Sequence, residues 1–372
     1  MKHSKILRHP VGRTLSNLSI AHFLPPENEE HKRYLFKSVV NIVGIEINSF
    51  CNRRCKHCPN SFLDRSFEEF FPENMYISTL EQLKKIDYSG LFAFQHYNEP
   101  TANRSLLIKR IEQAKQYIPH ATLVCNTNGD YLNRSYCHEL SSAGLNRLLV
   151  TGYIDTYDDN DDDDEAQDRC LQKSLDERIA ILDLAKEFQS RGQYSKFVML
   201  GNLEISVRAT NFLKATHSVN RGGLLDNLAN RVKRNAPCVR PFSSFSIEYN
   251  GNVMPCANMR SDAEDHKKFV MGNVFNENIF SIFYSEKFCD LRKKLTFFSN
   301  TLMHPCNSCA LERLDDKEKD FVSHMLSISY NDYQEMKKKN LKIRKNFSNI
   351  QSELDKIQNS KWYRLGKKLK LL

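Results

Sequence analysis

The sequence predicts an α/β fold built on a parallel β-sheet that stays open. Three observations carry that expectation. Between residues 38 and 207, apolar runs rich in Val, Ile and Leu alternate with segments of helical periodicity, the pattern of strand–helix units. Five such runs are visible and a sixth could sit near Gly223, too few for a closed eight-stranded barrel. The first run leads straight into a cysteine loop, and open α/β sheets place ligand sites beyond the carboxyl ends of their strands.

The elements follow in order. Residues 1–37 are irregular to weakly helical and suggest no role. Ser38–Asn48 (SVVNIVGIEIN) reads as a buried strand. Ser78–Ile86, Arg104–Tyr117, Arg134–Ala143 and Leu175–Arg191 have helical periodicity. Between them lie strands at Leu91–Tyr97, Ala121–Asn126 and Arg147–Gly152, with another inside Tyr194–Val207. The pattern then changes. Phe242–Pro255 reads as a hairpin with Asn250-Gly251 at its turn, and Asn278–Leu295 as one helix. Ile343, Phe347, Ile350, Leu354 and Ile357 form a short heptad stripe in a Lys-rich tail. The expected organisation is an extension over 1–37, a partial barrel over 38–234, a small cysteine-bearing domain over 235–315 and a basic helical tail over 316–372.

Charge narrows the function classes. The net charge is +9, but residues 337–372 alone contribute +10, leaving the rest at −1. A body that tracks nucleic acid is therefore not expected. Eight of the eleven residues from Asp155 to Glu165 are acidic, which reads as a solvated insertion. No apolar run is long enough to span a bilayer, and the N-terminus lacks the apolar core of a signal peptide, so a cytoplasmic location is expected. The tail ending in Trp362, Tyr363 and several leucines could contact another helix or lie on an anionic membrane surface.

Cysteine is the informative residue. Eleven cysteines in a chain without an export signal point to metal rather than to disulfides. Cys51, Cys55 and Cys58 form C-x3-C-x2-C at the end of the first strand, where three thiolates can hold three corners of a cubane cluster and leave one iron open. Cys238, Cys256, Cys306 and Cys309 form a second set that can ligate a cluster completely. From the residues alone, zinc remains open for both sets, and with it a zinc-stabilised binding protein that is not an enzyme.

These motifs resemble the radical-SAM superfamily. Its signature is C-x3-C-x2-C after the first strand, with an aromatic residue commonly before the third cysteine, where His57 stands here. Tyr97-Asn98-Glu99-Pro100 stands where the family carries a Gly-Gly-Glu-Pro-like segment, and Asn126-Thr127-Asn128-Gly129 resembles its Thr-Asn-Gly segment. Cys238-x12-Gly251-x4-Cys256, followed by Cys306-x2-Cys309, resembles the SPASM auxiliary-cluster extension in its shorter "twitch" form. Four segments, Ile45–Ser61, Tyr117–Leu132, Asn220–Leu228 and the cysteine spacing over 238–309, resemble members that oxidise a cyclitol alcohol to a ketone.

The resemblance implies a partial β/α barrel with a twitch extension. It implies a [4Fe–4S] cluster on Cys51, Cys55 and Cys58, and a second, auxiliary one on Cys238, Cys256, Cys306 and Cys309. S-adenosylmethionine would be held around Asn98, Glu99, Pro100, Asn126 and Asn128, and Arg221 would meet the substrate. The implied activity is a dehydrogenase that oxidises a secondary alcohol of a sugar, cyclitol or related polyol through a 5′-deoxyadenosyl radical. The auxiliary cluster would take the electron, and flavodoxin or ferredoxin would be the low-potential donor. Epimerisation of a sugar and modification of a peptide are the alternatives; Cys289 is kept as a hydrogen donor for the former. His96 and Tyr97, at a strand end, could face the pocket.

Overall fold

The structure is a computed structural model that describes residues 18, 20–26, 28–154, 164–184, 187–212, 220–225, 238–296, 304–307, 309, 335, 338–339, 342, 345–346 and 348–356. Ile42–Ile45 (β1) is a central strand, because its apolar residues are buried between neighbours on both sides. One neighbour is Leu91–Ala93 (β2), followed outward by Thr122–Thr127 (β3) and Arg147–Tyr153 (β4). Further out lie Gln189–Gly192 (β5), Ser195–Leu200 (β6) and Leu203–Thr210 (β7). On the other side of β1 are Ser244–Ile247 (β8), Asn252–Met254 (β9) and Gly272–Asn273 (β10). The sheet runs β10-β9-β8-β1-β2-β3-β4-β7-β6-β5, with β8, β1, β2, β3, β4 and β7 parallel and both flanks antiparallel. It does not close on itself.

Helices Glu29–Val39 (α1), Glu73–Lys84 (α2), Arg104–Tyr117 (α3), Arg134–Ala143 (α4) and Asp164–Leu182 (α5) accompany the parallel strands. Their starts are locally encoded: Asn28, Asn103 and Asn133 each accept a backbone N–H of the first turn. Gly144, at φ +100°, ends α4 in the left-handed conformation that a Cβ disfavours. Later come the short Arg240–Ser243 (α6), Ile279–Phe283 (α7) and Glu286–Thr296 (α8). The core joins an early and a late part of the chain: Phe36 of α1 packs edge-on against Phe245, Phe280 and Phe283.

Several expectations are refined. The first strand is shorter than Ser38–Asn48, because Ser38 and Val39 complete the last turn of α1. The helix expected to reach Arg191 stops at Leu182, with Asp183 at φ +52°, and Gln189–Gly192 instead pairs with β6. Tyr194–Val207 is two strands, because Gly201, at φ +61°, lets the chain reverse. Gly223 is in a turn; the sixth parallel strand is β8, which the sequence presented only as the first arm of a hairpin. Asn278–Leu295 is two helices, because the Ser285 hydroxyl accepts the Phe288 N–H and caps a new start. The expected hairpin at Asn250-Gly251 is present, with Gly251 at φ +81°.

Contacts divide the chain into one unit over 1–319 and another over 320–372. The sheet is continuous across the expected boundary near residue 235. In the second unit, residues 348–356 are helical, with Ile350 and Leu354 exposed. Most of the acidic insertion, the remaining heptad positions and the Trp362–Leu372 ending lie outside the described residues. Among the described residues no helix is long and apolar enough to cross a membrane.

Candidate functional site: two cysteine sets beside one cleft

The chain leaves β1 and turns at once into the cysteine loop. The Cys51 N–H donates to the Arg65 carbonyl at 2.9 Å and the Cys58 N–H to that of Cys55 at 2.9 Å, so backbone bonds fold the loop. Cys51, Cys55 and Cys58 all line a cleft of about 360 Å³ at the carboxyl ends of the parallel strands. Asn98, Glu99, Asn126, Asn128 and Arg221 line it too, as do His96 and Tyr97; Pro100 opens a turn beside it without lining it.

Glu99 organises the cleft wall. One carboxylate oxygen accepts the Thr101 N–H at 3.0 Å, the Thr101 hydroxyl at 2.6 Å and the Thr127 hydroxyl at 2.6 Å. The other accepts the Asn128 N–H at 2.8 Å. Burial raises the Glu99 pKa, and these hydrogen bonds oppose the rise. The carboxylate therefore ties the loop and turn that follow β2 to the end of β3; β2 itself stops at Ala93, short of the expected Tyr97. Asn98 accepts the His96 N–H and donates to Asn48, and Asn128 donates to Asn52 at 2.8 Å, tying the β3 end to the cysteine loop. Asp130 extends the tie, accepting from Asn52, Arg53 and Arg178; burial raises its pKa, but these partners win and hold it at about 2.

Arg221 enters the cleft from a left-handed turn at φ +47°, and its Nε donates to the His57 carbonyl at 3.4 Å. Glycines make this turn possible. A Cβ on Gly222 would stand 2.8 Å from the Asn258 carbonyl oxygen, and one on Gly223 would collide with the His304 ring. His57, Tyr153 and Phe212 form an aromatic wall with ring centres 4.8 to 5.7 Å apart. Burial, then the charges of Arg221 and Arg53, push His57 down to about 4, so it is neutral at pH 7.

Sequence reasoning missed Arg53, Asn60, Gln95, Tyr153, Arg208, Phe212 and Leu225 as cleft residues. Tyr153 ends β4 and Arg208 lies near the end of β7, so the strand-end rule could have flagged both.

Cys238, Cys256, Cys306 and Cys309 surround a separate, small, apolar pocket. Burial pushes the Cys256 thiol up to about 12, and neighbouring Cys238 and Cys309 add to the rise. Four thiolates crowded here require a strongly cationic centre, which an iron–sulfur core supplies and which fits this donor set. Cys125, Cys137 and Cys289 are buried and Cys170 is exposed; none of them lines either cavity.

A buried charged cluster lies behind the cleft. Arg65 pairs with Glu46 at 3.1 Å and with Asp262 at 3.2 Å, and Glu248 stands 3.7 Å from His96. Burial, reinforced by Glu46, raises Glu248 to about 8, and burial lowers His96 to about 4.

Comparison with known proteins decides the family. Residues 45–207 match the family model of the radical SAM superfamily, and residues 238–310 match that of the SPASM iron–sulfur cluster-binding domain. The chain belongs to the radical-SAM superfamily. It is 28% identical over 270 residues to the S-adenosyl-L-methionine-dependent 2-deoxy-scyllo-inosamine dehydrogenase of Niallia circulans, covering 72% of this chain and 92% of that protein. It is 30% identical over 125 residues to the GTP 3',8-cyclase of Helicobacter pylori (strain HPAG1), covering 31% of this chain and 36% of that enzyme. Its fold is similar to the crystal structure of BtrN in complex with AdoMet and 2-DOIA, with a TM-score of 0.51 and 24% identity over 73% of this chain and 93% of that one. As a radical-SAM enzyme the protein uses a [4Fe–4S] cluster and S-adenosylmethionine, and its SPASM domain is an auxiliary iron–sulfur site.

Proposed function

We propose that this radical-SAM enzyme is a dehydrogenase that oxidises a secondary alcohol of a cyclitol, sugar or related polyol to a ketone. The similarity to the 2-deoxy-scyllo-inosamine dehydrogenase supports the reaction class. One observation carries the reading onto this chain: Arg221 lines the cleft that holds Cys51, Cys55 and Cys58, while the next residue, Gly222, lines the pocket of Cys238, Cys256, Cys306 and Cys309. A substrate at Arg221 would thus stand between a site of radical generation and an electron acceptor.

Cys51, Cys55 and Cys58 would hold the S-adenosylmethionine cluster, and Cys238, Cys256, Cys306 and Cys309 the auxiliary one. With S-adenosylmethionine bound, the first cluster would supply a 5′-deoxyadenosyl radical as hydrogen-atom acceptor, and the second would supply a one-electron acceptor. The alcohol loses a hydrogen atom from carbon, a proton from oxygen and one electron, and becomes the carbonyl. Arg221 holds the hydroxyl, and its charge favours the deprotonated oxygen. Asn98, Glu99, Pro100, Asn126 and Asn128 shape the S-adenosylmethionine site, Glu99 by positioning Thr101, Thr127 and the Asn128 amide rather than by offering a free oxygen. The aromatic wall of His57, Tyr153 and Phe212 keeps water from the radical.

Epimerisation would need a hydrogen donor in the cleft. Cys289 is buried away from it, and the cysteines among the described lining residues are those of the motif. A flavodoxin or ferredoxin would supply the reducing electron. The test is anaerobic turnover of the reconstituted enzyme, carrying about eight irons per chain, with a panel of cyclitols and sugars. One carbonyl product per S-adenosylmethionine consumed is expected. A stereoisomer of unchanged oxidation state would replace this reading with epimerisation.

A further inference from the structure

Arg292, on α8, is fully buried. Its guanidinium carbon lies 3.8 Å from the Phe283 ring centre, 4.3 Å from that of Phe288, and 5.4 Å from those of Phe242 and Tyr284. Nε donates to the Pro241 carbonyl at 3.0 Å, and Nη1 approaches the Cys289 sulfur at 4.0 Å. Nη2 has no hydrogen-bond acceptor among the described residues, and no described carboxylate pairs with the group; Asp290 on the same helix pairs with Lys293 at 3.0 Å. Burial lowers Arg292 to about 10 and raises the Cys289 thiol, so at neutral pH the first is charged and the second is not. Four aromatic rings offset part of the desolvation of this cation. A buried charge without a partner of opposite sign is still costly in a folded protein.

The counter-charge is next door. Leu291 and Leu295, on either side of Arg292 in α8, line the auxiliary pocket together with Pro241, whose carbonyl Arg292 holds. The Cys238 N–H donates to the Leu295 carbonyl at 3.1 Å, fixing α8 to the first auxiliary cysteine. Arg240 lines the pocket itself and adds a second positive charge; no Asp or Glu is among its described lining. Four thiolates outweigh the charge of an iron–sulfur core, so the loaded site is anionic and becomes more so on accepting an electron.

We propose that Arg292 is a positioning residue whose buried charge raises the reduction potential of the auxiliary cluster and so poises it as the electron acceptor. The inference rests on the auxiliary-cluster reading above. It assigns Arg292 a role in the loaded state: among the described residues the cation has no carboxylate partner, and the thiolate cluster gives it an anionic neighbour.

The test uses the full chain with Cys51, Cys55 and Cys58 each replaced by Ala, so that only the auxiliary cluster is present. The cluster is titrated anaerobically by electron paramagnetic resonance. In Arg292→Met the reduced-to-oxidised ratio at a fixed ambient potential should fall at least tenfold, equivalent to about 59 mV for a one-electron couple. Arg292→Gln, which retains a donor for the Pro241 carbonyl, should shift the same way, and Arg292→Lys should shift less. In the metal-free chain, Arg292→Met should unfold no earlier than the parent, because the orphaned charge is gone. An unchanged potential in Arg292→Met and Arg292→Gln at full iron content would overturn the proposal. Zinc or no metal in the Cys51/Cys55/Cys58-free parent would overturn it together with the auxiliary-cluster reading.

Discussion

Arg260 donates from Nη1 to the side-chain oxygen of Asn60 at 2.7 Å, across a separation of 200 residues. Both side chains are buried, and both are attached to the cysteine sets: Asn60 follows Cys58 by two positions and Arg260 follows Cys256 by four. Asn60 also donates to the Tyr97 carbonyl at 2.8 Å, and the Arg260 guanidinium lies 5.0 Å from the Tyr97 ring centre. One small polar node thus locks the motif loop, the loop that follows β2 and the auxiliary segment together. Asn60→Ala strands a buried guanidinium N–H and should cost about 1–3 kcal/mol. The denaturation midpoint of the anaerobic protein measures it, and a midpoint equal to wild type would show that the node is dispensable.

The Arg221 turn depends on its two glycines. His266 Nε2 contacts the Gly222 carbonyl oxygen at 2.6 Å, so the turn is fastened to the auxiliary segment as well as strained at positive φ. Gly223→Ala adds a collision with His304 and left-handed strain on the order of 1–2 kcal/mol. Turnover should fall tenfold or more, because the turn carries Arg221 into the cleft. Full turnover in this variant would remove the requirement for that turn.

Cys256→Ala separates the two halves of the reaction. The first cluster should remain and S-adenosylmethionine should still be cleaved, while iron per chain falls by about half and ketone formation is lost. Undiminished ketone would eliminate the auxiliary site as electron acceptor.

Glu99→Ala removes the shared acceptor of four donors, two on Thr101 in the turn after β2 and two at the end of β3. Each lost bond is worth about 1 kcal/mol, so S-adenosylmethionine binding to the cluster-loaded enzyme should weaken at least tenfold. Equilibrium binding measures this directly. Binding at wild-type strength would show that Glu99 has no part in shaping the site.

Glu248 gives a pH dependence of stability. Its pKa is raised to about 8 in the fold from a reference value of 4.5, so the folded state keeps a proton that the unfolded chain releases. Its contribution is complete below the unfolded value and is lost as pH rises through the folded one. This contribution should therefore decline from about pH 5 to pH 8, lowering the wild type relative to a variant that lacks the carboxyl. Glu248→Gln, which keeps an acceptor for the Ser261 N–H, should decline less. Parallel denaturation curves at both pH values for the two proteins would contradict this assignment.

Much of the site was legible because its signals are local. C-x3-C-x2-C at 51–58 and the hairpin before Cys256 depend on short spacings, and Asn98, Glu99, Asn126 and Asn128 stand at or beyond the carboxyl ends of strands, where an α/β sheet gathers ligands. Phe212 was not legible, because it lies beyond β7, a strand that only the chain reversal at Gly201 separates from the longer apolar run. Arg260 and Arg292 read as ordinary charged residues; only packing makes them buried cations.

The sequence by itself determined the chemistry carried by this protein: which thiols stand close enough along the chain to share a cluster, and which strand delivers them. Short-range spacing decides those matters. Only the tertiary structure decided that β8 lies beside β1, that Arg221 and Gly222 face different cavities, and that Arg292 sits behind the auxiliary pocket. Those relationships arise from long-range strand order and from burial, which no local pattern of residues encodes.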